Sequence, residues 1–150
     1  AVPDDTSPAD LGIFAALGDV LGSPADTMRV IRRYVRPGGH LLVSDVFLRD
    51  GGSVTFPGFE HYRSRAETVS GLTAWGDVLV SELLEGEAES DAEEGDEDAA
   101  AIHRRAVELA RRHPDHREQL LAFAAHQAVA NAHIAANLVD VVWVLRRSET

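Results

Sequence analysis

The chain has 150 residues, which is enough for one domain with a substantial core and too short to expect two. It contains no cysteine, so disulfides, thiolate metal sites and thiol catalysis are excluded. It contains no lysine either, which excludes Schiff-base chemistry and a P-loop that holds phosphate through its lysine.

The negative charge of the chain is concentrated in one segment. The net charge of −11 comes from 14 arginines and 25 acidic residues, and nine of these acids lie in residues 85–98. This acidic run is typical of a mobile, solvated insertion, with selection of a cationic substrate as the less favoured alternative. Because the run repels phosphate and no basic stripe compensates for it, we expect no nucleic-acid partner.

Apolar segments are too short to suggest a membrane protein. No apolar run approaches the roughly 20 residues that a membrane-spanning helix needs. The sequence given shows no basic, apolar leader of the kind that directs secretion. We therefore expect a cytoplasmic protein without a membrane segment.

The first third of the chain predicts a strand, a helix and a second strand. Residues 11–17 are apolar and bounded by glycine, as in a buried strand, although their alanines also allow a helix. Ser23 suits a helix N-cap, and the apolar stripe of that helix runs to Val35 before residues 37–39, Pro-Gly-Gly, end it. Residues 40–46 then form the clearest strand. This order predicts a parallel β-α-β unit.

The middle of the chain allows a helix over residues 59–71, with residues 67–74 as the part that the pattern favours most, and predicts a third strand over residues 77–84. The acidic run precedes a helix over residues 99–112, for which Asp98 is a candidate N-cap. We interpret the segment from 1 to 150 as a single domain that contains the acidic insertion.

The last third predicts a helical pair and a final strand. A turn over residues 113–115, His-Pro-Asp, separates the preceding helix from one over residues 118–137. Small residues on that second helix suggest a close-packing face: Leu120, Ala124, Ala128, Ala132 and Ala135. Residues 139–145 are apolar on both faces, which is typical of an interior strand. The fold class is therefore α/β, with four strands, flanking helices and a helical pair before the last strand.

Residues 9–48 carry a series of motifs in a recognisable order. Asp10 opens the first strand, Leu17-Gly18-Asp19 follows it, and residues 36–39, Arg-Pro-Gly-Gly, precede the strand that contains Asp45. This series resembles the second half of class I S-adenosylmethionine-dependent methyltransferases. The closing helical pair is similar to that of a branch that acts on small molecules. The resemblance covers about residues 9–147 and implies a partial Rossmann-like sheet, with strands resembling strands 4, 5, 6 and 7 of that family.

The resemblance implies S-adenosylmethionine as cofactor, with Leu17 and Gly18 beside its methionine part. The glycine-rich Gly-x-Gly loop that holds this cofactor in the family's first half has no counterpart in the chain. The chain therefore resembles the C-terminal half of a methyltransferase domain. Because a half-sheet exposes an edge and apolar faces, we expect a partner, most simply a second copy, or the missing N-terminal half.

Two aspartates are the candidate catalytic residues. The resemblance places Asp19 beside the transferable methyl group, where it would orient an acceptor or accept its proton; the alternative is a turn with a solvated acid. Asp45 lies within an apolar strand, where a carboxylate is either paired or lines a cleft.

Three aromatic or imidazole side chains are candidates for substrate binding. His61 and Tyr62, with Glu60, follow a loop that contains proline and glycine, so they would roof an active site and supply a general base or would simply be a surface segment. Phe47, close to Asp45 in sequence, would either contact substrate or pack in the core. The seven histidines form no zinc-binding motif, so we expect no metal site.

The leading functional interpretation is the C-terminal portion of a small-molecule methyltransferase. It would move a methyl group from S-adenosylmethionine to an O, N or S acceptor, and this chain would form the acceptor side of the pocket. The alternative is a non-catalytic binding or assembly module that kept the scaffold and lost the cofactor loop. An unrelated α/β ligand-binding protein is a third interpretation.

Overall fold

The computed structural model describes residues 7–16, 18–50, 52, 57, 59–84 and 90–149. The chain forms two compact units. The sheet unit comprises Ala1–Glu85 and Val139–Thr150, and the helical unit comprises Gly86–Leu138.

The sheet unit is built on a mixed four-stranded sheet. Its strands are β1 (Ala9–Ala15), β2 (Val35–Leu48), β3 (Val78–Leu84) and β4 (Leu138–Arg146), in the order β1-β2-β4-β3. Strand β1 runs parallel to β2, and β3 runs antiparallel to β4. The α/β class, the parallel first pair and the interior position of the last strand are therefore confirmed.

Helix α1 (Pro24–Ile31) begins directly after Ser23, as the sequence predicts, and ends before Val35, the residue to which the prediction extended it. The Ser23 side chain accepts a hydrogen bond from the Asp26 backbone N–H, and the Asp26 carboxylate accepts one from the Ser23 N–H, which forms a capping box. A 3₁₀ turn over Arg32–Tyr34 follows the helix, and Val35 already belongs to β2. The prediction that the helix continues to Val35 is wrong, because Val35 has extended backbone and pairs with Ala9 of β1.

Strand β2 begins at Val35, before residue 40, and includes the Pro-Gly-Gly segment, in which Gly38 has a left-handed φ of +74°. Gly39 passes so close to β1 that an added Cβ would lie 2.8 Å from the carbonyl oxygen of Asp10. The pairing of β1 with β2 shifts register between Ala9 and Leu11, next to this close approach. Glycine is therefore required at position 39 by the neighbouring strand, and it does not act only as a helix stop.

The core of the sheet unit lies between the sheet and its two short helices, α1 and α2 (Arg65–Leu72). Glycine brings these helices together, since a Cβ on Gly71 would lie 2.7 Å from Cβ of Pro24. The buried core residues are Met28, Ile31, Val35, Leu41, Val43, Phe47, Leu72, Val141, Trp143 and Leu145. Alternate residues of β4 thus face this core, as their apolar pattern predicts.

A buried ion pair joins the 3₁₀ turn after α1 to the residues that flank β3 and β4. The Arg32 guanidinium donates two hydrogen bonds to the Asp77 carboxylate, at 3.1 and 3.0 Å, and the Ser148 backbone N–H donates a third at 2.9 Å. The Asp77 side chain is fully buried. These three hydrogen bonds, from Arg32 and Ser148, offset the free-energy cost of burying the charged Asp77 carboxylate.

The helical unit is an antiparallel hairpin of α3 (Ser90–Arg112) and α4 (Arg117–Asn137), joined by a 3₁₀ turn over Pro114–His116. Helix α3 begins at Ser90 rather than residue 99, so Asp98 lies inside it and is not its N-cap. Of the small residues predicted to form the packing face of α4, Ala124 is buried, while Ala128, Ala132 and Ala135 are exposed. None of the helices in the described ranges is long and apolar enough to cross a membrane.

Candidate functional site

Two adjoining cavities of about 290 and 280 Å³ open where β1 ends and β2 approaches its end. Parallel neighbouring strands end at the same edge of a sheet, so the loops that follow them meet there. Six residues line both cavities: Gly18, Asp19, Asp45, Val46, His61 and Tyr62. We call this region the β1–β2 pocket.

Gly18 and Asp19 form the turn that leaves β1. Gly18 has a left-handed φ of +51°, which glycine adopts without strain. An added Cβ at this position would lie 3.4 Å from Nε2 of His61, so the glycine also leaves room for the imidazole. The Asp19 side chain is 65% exposed, and its Oδ2 lies 3.9 Å from Nδ1 of His61.

Asp45 reaches the pocket from β2. Its carboxylate is half-buried and accepts a hydrogen bond of 2.9 Å from the backbone N–H of Val46. The neighbouring Ser44 is opposite Ala15 in the parallel register, and its carbonyl accepts a bond from the Ala16 N–H. The β1–β2 ladder therefore holds this carboxylate close to the turn that contains Asp19. Of the two sequence alternatives for Asp45, its position is that of a cleft-lining group.

His61 and Tyr62 enter the pocket from the loop between β2 and α2. Their ring centroids lie 4.1 Å apart at an interplanar angle of 42°. Tyr62 is supported from its other side by Phe59, at 5.8 Å. The loop is held by Arg63, whose Nη1 donates to the backbone carbonyls of Glu60 and Tyr62 at 2.9 and 3.2 Å.

Negative charge is disfavoured on the Tyr62 side chain in the pocket. The pKa of Tyr62 is raised above its ordinary value of 10.0, first by burial and then by the negative charges of Asp45, Asp140 and Asp19. Both causes penalise a phenolate at this position. Burial and these charges therefore favour the neutral hydroxyl of Tyr62 over the phenolate.

Sequence reasoning missed Asp140, which lines the smaller cavity from β4. The signal was available, because Asp140 is a lone charge in the apolar segment over residues 139–145, as Asp45 is in its own strand. The polar neighbours Ser23 and Thr68 of the larger cavity were also missed.

The remaining candidate residues lie elsewhere. Phe47 is 6% exposed and packs against Trp143, with ring centroids 6.1 Å apart, so the structure places it in the core and not in the pocket. Glu60 is exposed on the loop that carries His61. Leu17 lies outside the described residues. Within the part of the chain that is described, no three histidine or acidic side chains are arranged to hold a metal ion.

The fold has many solved relatives, although no protein-family model and no curated protein matches the sequence. The [4+2]-cyclase SpnF is 18% identical, with a TM-score of 0.62 over 100% of this chain and 53% of that protein. A methyltransferase from Geobacter sulfurreducens, solved with S-adenosyl-L-homocysteine, is 19% identical over 97% of this chain and 59% of its own length, with a TM-score of 0.63. The cyclopropane synthase MmaA2 from Mycobacterium tuberculosis is 12% identical, with a TM-score of 0.70 over 95% of this chain and 56% of that protein.

The chain thus spans between half and two thirds of the length of these solved relatives while nearly all of it is matched. It has the fold of part of the class I S-adenosylmethionine-dependent methyltransferases, as expected for the C-terminal half. A cyclase, a methyltransferase and a cyclopropane synthase share this fold, so the fold alone does not fix the reaction.

Proposed function

We propose that the chain is the acceptor-binding portion of an S-adenosylmethionine-dependent methyltransferase that acts on small molecules. The observation that carries the proposal is the convergence of Asp19, Asp45, His61 and Tyr62 on the β1–β2 pocket. Polar and titratable groups gathered in one cavity at the carboxyl ends of parallel strands are typical of a ligand site. Several proteins with the same fold are methyltransferases solved with S-adenosylhomocysteine or S-adenosylmethionine.

The residues present fit one end of the cofactor. Gly18 leaves backbone exposed at the pocket wall, and we assign Gly18 and its neighbour Leu17 to the methionine end. Each cavity is at the lower limit of the roughly 300–1,000 Å³ of common ligand pockets, so it suits a small acceptor and not a whole dinucleotide-sized ligand. When bound, S-adenosylmethionine supplies an electrophilic methyl group on a sulfonium sulfur.

The chain's own groups would align an O, N or S acceptor and manage its proton. Asp19 and Asp45 supply carboxylates on two sides of the cavity, and Tyr62 supplies a hydroxyl and a ring face. Holding the reacting atoms in line is the largest contribution that such a site makes, and a positioned base adds to it.

The exposed edge of the sheet indicates where the rest of the assembly would pair. Strand β1 ends the sheet, and its Leu11 and Ile13 are 50% and 66% exposed. Unpaired strand edges with apolar side chains bind other strands readily. We propose that this edge is covered by a second copy or by an N-terminal half. A chain that stays monomeric by light scattering at micromolar concentrations would argue against the second copy.

The test is calorimetric titration of the purified chain with S-adenosylhomocysteine. Binding at a defined stoichiometry supports the proposal. A Gly18→Ala variant should bind more weakly because its left-handed backbone is strained beside His61. Gly76→Ala is the matched control, since Gly76 also has a left-handed φ, of +83°, and does not line the pocket. No binding by a folded sample would instead favour a non-catalytic binding module on this scaffold.

A further inference from the structure

We infer that the acceptor is a neutral hydroxyl group, that Nε2 of His61 accepts its proton, and that Asp19 positions the His61 imidazole. The inference rests on the proposed function and names the acceptor class of the same pocket. It assigns the two ring nitrogens of His61 different tasks, one toward the protein and one toward the ligand.

The orientation of the His61 imidazole gives its two ring nitrogens different surroundings. Nδ1 faces Oδ2 of Asp19 at 3.9 Å, while Nε2 is buried and has no hydrogen-bond partner among the described residues. A carboxylate opposite Nδ1 favours the tautomer that keeps its proton there and leaves Nε2 as an acceptor. A buried acceptor without a donor is costly, so a ligand hydroxyl at this point would satisfy it.

The distance between Asp19 and His61 suits a pair that tightens during reaction. At 3.9 Å the contact is longer than a hydrogen bond, and such catalytic contacts commonly shorten when substrate binds. Protonation of His61 would strengthen the attraction, because it converts a dipole facing a carboxylate into a cation facing it. Asp19 is therefore a positioning residue in this scheme.

The charges around the pocket select the acceptor class. Burial raises the pKa of Tyr62, and the negative charges of Asp45, Asp140 and Asp19 raise it further, while the cationic side chain of Arg63 also lines the larger cavity. An oxygen acceptor that is already ionised would meet the same penalty as a Tyr62 phenolate. An amine would be held in its protonated form, which has no lone pair to donate. A neutral hydroxyl avoids both penalties and requires a base inside the pocket.

The proton and electron balance is complete with these groups and a sulfonium methyl donor. An oxygen lone pair forms the new O–C bond as the C–S bond breaks and its electron pair returns to sulfur. The hydroxyl proton passes to Nε2 of His61, where the imidazolium is stabilised by Asp19.

Equilibrium binding of two probes, without the methyl donor, tests the inference. The probes are 4-nitrophenol, whose neutral and ionised forms absorb at different wavelengths, and 4-nitroanisole, which lacks the hydroxyl proton. We expect the chain to bind neutral 4-nitrophenol more tightly than 4-nitroanisole, by about two- to tenfold for one hydrogen bond. His61→Phe should abolish this preference, and Asp19→Asn should reduce it.

Matched control variants distinguish the proposed roles of His61 and Asp19 from a general loss of structure. His40→Phe and Asp50→Asn change the same residue types at exposed positions outside the pocket lining and should keep the preference. The inference is overturned if the wild-type chain binds neither probe, binds both equally or binds the ionised phenol. It is also overturned if folded His61→Phe keeps the preference. Failure of S-adenosylhomocysteine to bind the same sample would instead count against the proposed function.

Discussion

Removing the Asp77 carboxylate should destabilise the sheet unit more than any change at an exposed charge. In Asp77→Ala, Arg32 keeps a guanidinium whose side chain is only 14% exposed, and the Ser148 backbone N–H loses its acceptor. Hydrogen bonds to charged groups contribute about 1.5–3 kcal/mol each, but they are not additive. Breaking a buried ion pair at one partner costs about 3–5 kcal/mol, which we take as the expected loss in the free energy of unfolding.

This loss is large against the roughly 5–15 kcal/mol that stabilises a typical domain. At about 2–4 °C per kcal/mol for a chain of this size, Tm should fall by about 6–20 °C. The assay is thermal unfolding followed by circular dichroism, with urea unfolding at 25 °C as a second measure.

Asp10→Ala is the matched control for this prediction. Asp10 also pairs with an arginine, Arg36, but the two side chains are 82% and 55% exposed. Exposed pairs contribute less than about 1 kcal/mol, and salt screens them. Equal shifts in Tm for Asp77→Ala and Asp10→Ala would refute the reasoning, because burial would then make no difference.

Three further predictions concern packing and titration. Gly71→Ala should destabilise the chain by about 1–3 kcal/mol despite a better helix propensity, because its Cβ would overlap Pro24; thermal unfolding measures this. The pKa of Glu82 is lowered, first by its hydrogen bond from Arg65, so its stabilisation is present above about pH 4.5 and is lost as pH falls through the lowered pKa. The urea midpoints of the wild type and Glu82→Gln should therefore converge in acid. Asp45→Asn should lower the raised pKa of Tyr62, as seen by ultraviolet absorbance titration.

Each of these predictions has an outcome that contradicts it. For the contact between Gly71 and Pro24, the control is Ser70→Ala, which changes an exposed neighbour on α2 and should leave Tm unchanged. A Gly71→Ala variant as stable as the wild type would show that α1 moves aside. For Glu82, a constant difference in urea midpoint from neutral to acid pH would show that its ionisation contributes nothing. For Tyr62, an unchanged titration in Asp45→Asn would show that the charge of Asp45 does not contribute to the raised pKa.

Several features of the fold were predictable because local chemistry decides them. Ser23 ahead of Pro24 and Asp26 supplies a capping box whatever surrounds it, so the start of α1 was found. The same signal, Ser64 with Glu67, marks the start of α2 at Arg65, which lies between the two starts, 59 and 67, that the apolar pattern left open. The apolar residues on both faces of β4 likewise require cover on both sides and indicated an interior strand.

The sequence by itself determined the α/β class, the order of the elements, the start of α1 and the two carboxylates expected at the pocket. Tertiary structure decided where α1 ends, since Val35 pairs with Ala9 of the neighbouring strand in the sheet. It decided which alanines of α4 are buried, because a helix with alanine on every side has no preferred face until its neighbour is placed. It also brought Asp140 and His61 to Asp19, across distances in the chain that no local pattern spans. Contacts of this kind depend on which strands are neighbours, and only the folded sheet sets that.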